Sequence, residues 1–433
     1  MGKFFVDPET NSLYHTGEYS LSGSSLRVGL VRWTNGQFQV LDSSRTYLNR
    51  SNYSTSMLRY QNELYVCGSF SYMGDTNSVQ KSFCKLGDTG FKETSQALKR
   101  NYNIQTMTEY DGQLLLAGRF DSLDHLSCRS IAAWNGQEFS DFPVLEASEN
   151  GLTEITSLIE YKGLLYAGGF FGDSPTNRDL QVFDGTSWKS IDGWSVGTSS
   201  GWVNDMVVYK DELYIAGGFS KSDGKGIANR VVKYDGQYFY ELGNGLDNTV
   251  YDLEVHNGSL FMFGGFESAN GMSASKIAVW KDDHFYTFSS DSIDQWISDA
   301  VFYEDSLLIT GSFQQIGSSG PGQSVAYQAK WAGKFQPLQS QATEVNRVGN
   351  YTTQVEPQLE SQKPLRAYPN PFTGEVTLES QTPGWYSLFD HQGRLVWSGA
   401  LDSPTETIDL HHLDPGSYQM VDETGHAVSL IKN

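Results

Sequence analysis

Three aspartates, Asp205, Asp252 and Asp299, occupy the same place in three related segments, "VNDMVVY", "VYDLEVH" and "ISDAVFY". In earlier segments of the same kind that place holds Ser56, Thr106 and Ser157. Carboxylates that recur in register can converge, and a converging set can hold a cation or a polar ligand, or work as acid and base on a glycan. Short polar side chains at a crowded position can equally hydrogen-bond neighbouring backbone. Either role needs an element that brings the segments together.

Other chemistry is sparse. His15, His125, His256 and His284 lie at unrelated points and have no zinc or copper spacing. His256 takes the place of Tyr60, Tyr110, Tyr161, Tyr209 and Tyr303 in related segments, which makes it a packing residue. A P-loop, GxSxG and HExxH are all absent. Cys67 and Cys84 stand where other copies have Ala117, Ala216 and Ala132. A bridge between them and a pair of buried thiols both remain open, with Cys128 left over. No cofactor, metal or catalytic residue is expected.

The positioning element is a repeat. "ELYIAGGF", ending at Phe219, recurs as "SLYHTGEY", "ELYVCGSF", "QLLLAGRF", "LLYAGGF", "LFMFGGF" and "LLITGSF", ending at Tyr19, Phe70, Phe120, Phe170, Phe266 and Phe313. In this frame one glycine is constant: Gly17, Gly68, Gly118, Gly168, Gly217, Gly264 and Gly311. A second motif follows each copy, among them "AWNGQEF", "VFDGTSW" and "KYDGQYF", an aromatic strand end, a turn and another aromatic. With the aspartate-bearing segment in front, each repeat supplies four short strands, A to D. Four antiparallel strands repeated seven times predict an all-β, seven-bladed β-propeller over residues 1–338, each blade a radial sheet. The inner aromatics Trp33, Trp134, Phe183, Tyr234, Trp280 and Trp331, with Leu86 as the odd member, are expected to pack between blades. No strand is evident to bridge the first and last blades.

The hydrophobic run, glycine pair, aromatic and Asp-Gly turn resemble the kelch or galactose-oxidase-like propeller repeat, although only three of the seven copies keep both glycines. That resemblance implies a fold and no activity. A copper enzyme of that kind needs a Tyr and His constellation on the axis, and the histidines are not supplied.

From 339 to 366 the chain is rich in Gln, Ser, Thr and Glu and reads as a linker. Strand-like segments resume over 367–433 and predict a small β-sandwich. "YPNPF" (Tyr368 to Phe372), "LFDHQGRLV", "LDPGSYQM" and the late basic Lys432 resemble the type A C-terminal sorting domain of type IX secretion substrates. The resemblance implies Pro369, Asn370, Pro371, Gly393, Arg394, Gly416, Tyr418 and Lys432 as sorting-signal residues, the type IX machinery as partner, and a secreted or cell-surface destination reached through the periplasm. The opening "MGKFFVDPET" is not a signal peptide, so a processed or artificial start is expected.

Composition narrows the partners. Thirty Lys and Arg against 51 Asp and Glu give a net charge of -21, which repels nucleic acid and anionic membrane surfaces. No apolar run is long enough to cross a membrane as a helix. Within each repeat the A-to-B and C-to-D turns are short, while the B-to-C and D-to-A connections are long and must share one face. The D-to-A connections carry Tyr47, Tyr53, Tyr102, Trp194, Trp202 and Trp296, rings suited to sugars or to a protein partner. The expectation is a binding protein, with Tyr53, Tyr102, Trp194, Trp202, Trp296 and the three aspartates as candidate ligand contacts. The alternatives are a carbohydrate-active enzyme using the aspartates and a structural adhesin component.

Overall fold

The computed structural model describes most of the chain. The stretches 21–26, 49–55, 73–79, 94–102, 146–152, 172–178, 195–200, 221–227, 318–322, 333–338 and 348–365, and shorter breaks of one to four residues, lie outside the described residues. Two compact units result, Met1–Val355 and Glu356–Asn433.

The first unit is propeller-like. Its repeats form antiparallel sheets in which A pairs B, B pairs C and C pairs D, as in Val203–Tyr209, Glu212–Gly217, Val231–Tyr234 and Phe239–Leu242. Six sheets reach four strands or more. The seventh repeat contributes a three-stranded sheet, Ile297–Tyr303, Ser306–Gly311 and Gln328–Ala332, because its expected outer strand falls on 334–338, outside the described residues. Among the described residues complete blades therefore number six rather than the expected seven. The inner strands nonetheless touch one another around a closed circuit, and Phe4–Asp7 of the first repeat packs against both Ser56–Tyr60 and Ile297–Tyr303.

The turns follow from side-chain chemistry. From the second to the sixth repeat the A-to-B hairpins are two-residue turns with both residues at positive φ, as at Gln61 and Asn62 (48° and 64°) or Lys210 and Asp211 (49° and 65°), the geometry that matches strand twist, whereas in the first repeat Asp7 pairs with Ser12 across a longer turn. The C-to-D turns repeat an Asx motif: Asn135, Asp184 and Asp235 each accept two backbone N–H bonds through Oδ1, from residues two and three positions later.

The recurrent glycine answers a kink in strand A. The register of A against B skips one residue between Ile104 and Thr106, Ile155 and Ser157, Val203 and Asp205, Val250 and Asp252, and Ile297 and Asp299. The bulge pushes the carbonyl of Trp202 against Gly217, where any Cβ would collide with it. In the fourth blade the residue in that role is Gly169, which pairs with Ile155 as Gly217 pairs with Val203. The repeat frame there moves by one: Phe171 is fully buried and Phe170 is 36% exposed, so the expected Gly168 and Phe170 give way to Gly169 and Phe171.

No single core fills the ring. Apolar clusters straddle neighbouring blades, such as Tyr166, Val182 and Trp194 of the fourth with Ile215, Phe219 and Tyr234 of the fifth. Trp134, Phe183, Tyr234, Trp280 and Leu86 are buried as expected, whereas Trp33 is 36% exposed. Cys67 and Cys84 sit in different clusters, between the second and third blades and between the first and second, and neither is in a disulfide. Their side chains leave opposite faces of one sheet, so no bridge can join them.

The chain after the seventh repeat turns back onto the propeller. Gln339–Ala342 adds to the outer strand His284–Thr287, and Val345–Arg347 adds to Phe239–Leu242. The beginning of the stretch read as linker is thus paired strand.

The second unit is two antiparallel sheets, one of three strands and one of four, enclosing Val376, Leu378, Tyr386, Leu388, Met420 and Leu430.

Candidate functional site

The bulges turn the aspartates inward. Asp252 and Asp299 are 5% and 4% exposed, and each aspartate binds the inner strand of the next blade. Asp205 Oδ2 accepts the Leu253 N–H at 2.9 Å, Asp252 Oδ2 the Ala300 N–H at 2.9 Å, and Asp299 Oδ2 the Phe4 N–H at 2.6 Å. The last of these joins the seventh repeat to the first. A cation is already present: Lys3 Nζ lies 2.6 Å from Asp299 Oδ1 and 3.6 Å from Asp252 Oδ1. Four carboxylates, counting Glu254, share this one ammonium.

Their acidities follow. Burial first, then the Asp252 charge, pushes Asp205 up to about 7. Burial, opposed by Lys3 and reinforced by Asp252, pushes Asp299 up to about 7. Burial also raises Asp252, and burial with its three acidic neighbours raises Glu254. For Lys3, burial disfavours the charge, but Asp299, Asp252 and Asp205 outweigh it and raise its pKa. Among the described residues no group of three or more His, Cys, Asp or Glu is placed to hold a metal ion. The three aspartates can clamp blades, each through an Oδ2 that accepts a backbone N–H of the next blade.

A second ring of clamps lies at the far end of strand A. Tyr60 OH donates to the Gly112 carbonyl, Tyr161 to Asp211, Tyr209 to Gly258 and Tyr303 to Asn11, each reaching the hairpin of the next repeat. Tyr110 and His256 depart from the series: Tyr110 packs edge-on to Phe142 and Phe183, and His256 stacks on Phe302 with centroids 3.8 Å apart. The recurring tyrosines were visible in the sequence; Lys3 carried no signal there.

The face opposite the hairpins carries the long connections. Short hairpins stand in it, Ser122–Leu123 with Leu126–Ser127, Ser268–Ala269 with Met272–Ser273, and Gln315–Ile316 with Gln323–Ser324. Asp247 Oδ1 accepts the N–H groups of Glu267 and Ser268, and Asp294 Oδ1 those of Gln314 and Gln315, so D-to-A connections are tied to B-to-C hairpins.

The aromatic candidates divide. Trp194 is fully buried, with its ring 5.3 Å from Phe219 and 5.6 Å from Phe239, and is a packing residue rather than a ligand contact. Trp202 and Trp296 hold equivalent places just before strand A, where their carbonyls accept the N–H groups of Gly218 and Ser312. Trp296 is 38% exposed, and Trp202 is partly exposed with its ring against Gly218. Tyr47 lies on a strand that pairs with Ser71; Tyr53 and Tyr102 lie outside the described residues.

In the second unit Lys432 is the keystone. Its buried ammonium donates to the carbonyls of Leu410, His411 and Leu413 at 2.8, 2.9 and 2.7 Å. Tyr418 OH donates to the Asp414 carbonyl at 2.6 Å, Arg394 is exposed, and Gly416 opens the strand Gly416–Asp422. Pro369, Asn370, Pro371 and Gly393 lie outside the described residues.

Residues 366–432 match the secretion system C-terminal sorting domain, a family of type IX secretion substrates. No curated protein matches the chain. Among solved structures it is similar to PorZ, described as an essential bacterial surface component of the type IX secretion system of Porphyromonas gingivalis. That likeness has 11% identity and a TM-score of 0.36, and covers 98% of this chain and 68% of that one. YjhT is similar at 13% identity and a TM-score of 0.38, over 65% of this chain and 94% of its own. The extracellular domain of the putative one-component system BT4673 from B. thetaiotaomicron is similar at 10% identity and a TM-score of 0.29, over 100% and 80%.

Proposed function

From a propeller-like unit followed by a type IX sorting domain that directs export to the cell surface or beyond, we propose a surface binding protein. It recognises a glycan or a protein partner with its long-connection face and does not turn it over. The same reading takes the repeat as kelch-like and the ring as seven-membered. The observation that carries it is the pair Trp202 and Trp296: equivalent positions, set by the bulge of strand A at the axial end of that face, with Trp296 38% exposed. Exposed indole on a platform of hydrogen-bonded loops gives large apolar contact at low entropy cost. The axial carboxylates favour binding over catalysis, since backbone N–H groups and Lys3 occupy them.

The test is capture of long glycans and of surface proteins by the intact chain, repeated with Trp202→Ala and Trp296→Ala. A loss of at least about tenfold, or about 1.4 kcal/mol, is expected in the double variant with an unchanged melt. Undiminished capture by a folded double variant sinks the reading.

A further inference from the structure

A groove of about 900 Å³ opens in the third blade, within the range of small-ligand sites. One wall is the B-to-C connection, with Asp121, Ser127 and Arg129; the other is the chain leaving the outer strand, with Asp141, Pro143 and Val144. Both walls belong to the long-connection face. Cys128 lines it between them, buried, and burial followed by the charges of Asp141 and Asp121 pushes its thiol up to about 11, so it is no nucleophile at neutral pH.

Two of the charged groups here are unspent. Other propeller cations are ion-paired, such as Lys210 with Asp282, Lys233 with Glu212 and Lys276 with Glu267, or bond a carbonyl, as Lys162 does with Asp235. Among the described residues Arg129 and Asp141 have no such partner, and both are exposed beside Val144, which is 48% exposed. A carboxylate, a five-donor guanidinium and an apolar ledge thus meet in one groove, and the two charges do not satisfy each other.

We propose that this groove is a subsite for one neutral sugar ring of a glycan. The inference rests on the long-connection face being the recognition face. Asp141 accepts hydroxyl protons, Arg129 donates to ring or hydroxyl oxygens, Pro143 and Val144 take the C–H face, and Asp121, whose Oδ1 accepts the Ser122 hydroxyl, adds negative charge. Two carboxylates against one guanidinium, on a chain of net charge -21, select against acidic sugars.

The experiment is a titration of the full chain with a neutral disaccharide, followed by NMR. Asp141→Ala, Arg129→Ala and Trp296→Ala are compared, each checked by its melt; an acidic disaccharide and a basic peptide serve as rival probes. Expected are saturable binding of the neutral disaccharide, a loss of at least about tenfold in both groove variants, and affinity within about twofold in Trp296→Ala. Unaltered binding in folded groove variants, no binding by the wild type, or a preference for either rival overturns the subsite. Binding lost only in Trp296→Ala moves the ligand to the axial mouth, which overturns this inference and leaves the recognition face standing.

Discussion

Asp252 bears two loads: its Oδ2 accepts the Ala300 N–H, and its Oδ1 lies 3.6 Å from Lys3. The convergence of Asp205, Asp252 and Asp299 was legible in the sequence, because their place in the repeat is fixed relative to a glycine. What they do there was not, because the ammonium that meets them sits in the first repeat, at the other end of the propeller sequence from Asp299 yet within 2.6 Å of it. The axial set gives a pH dependence with an unusual sign. Asp205 and Asp299 are lifted to about 7 in the fold. An unfolded aspartate titrates near about 3.9, so between these values the folded ring binds more protons than the unfolded chain. Its stabilising contribution is complete below about 3.9 and is lost as pH rises through about 7. Asp7 works the other way. Burial acts to raise it, but Arg59, Thr10 and the Glu9 N–H outweigh burial and hold it low, so its contribution is lost as pH falls below the ordinary carboxylate range. Thermal scans should therefore show Tm rising as pH is lowered from about 8 to about 5.5. A Tm that falls across that interval contradicts the axial account.

At the scale of elements, strand A and its glycine explain most of the repeat. The glycine was readable; the reason for it, a neighbouring carbonyl thrust out by a bulge, needed the register of the paired strands. Where the register was not visible, in the fourth blade, the sequence frame slipped by one residue and put exposed Phe170 in the place of buried Phe171. Trp194 misled for a related reason: it follows the outer strand of its blade, where a ring can fold under the loops into the cluster with Phe219 as readily as face outward. In the sorting domain the last strand, Ala427–Lys432, is held by the three carbonyl bonds of Lys432. Lys432→Met leaves those carbonyls short of a donor, and an unsatisfied buried polar group costs about 1–3 kcal/mol. The expected result is a lower melting transition for the sorting domain and less exported protein, with Lys432→Arg recovering part of both. Full export by Lys432→Met would place recognition wholly in other residues and remove the keystone role.

Across the whole molecule, a ring must close where the chain begins and ends it. Apolar clusters join neighbouring repeats from the first through to the seventh. Among the described residues the remaining seam carries polar contacts: Phe4 N–H to Asp299, Tyr303 OH to Asn11 O, and Lys3 to Asp299. The sequence showed no bridging strand, and among the described residues none spans the seam; the chain after the seventh repeat instead edges two other blades. The same geometry divides the molecule into a face of tight hairpins and a face of tied loops, and the central claim is that the second face does the binding. Two exposed tryptophans allow a direct test, Trp296 on the loop face and Trp33 beside a C-to-D turn, 38% and 36% exposed. Hydroxyl-radical footprinting of the intact chain, with and without surface glycan and protein extract, reads both at once. The account predicts that Trp296 becomes protected while Trp33 oxidises as before; protection of Trp33 alone, or of neither, would contradict it.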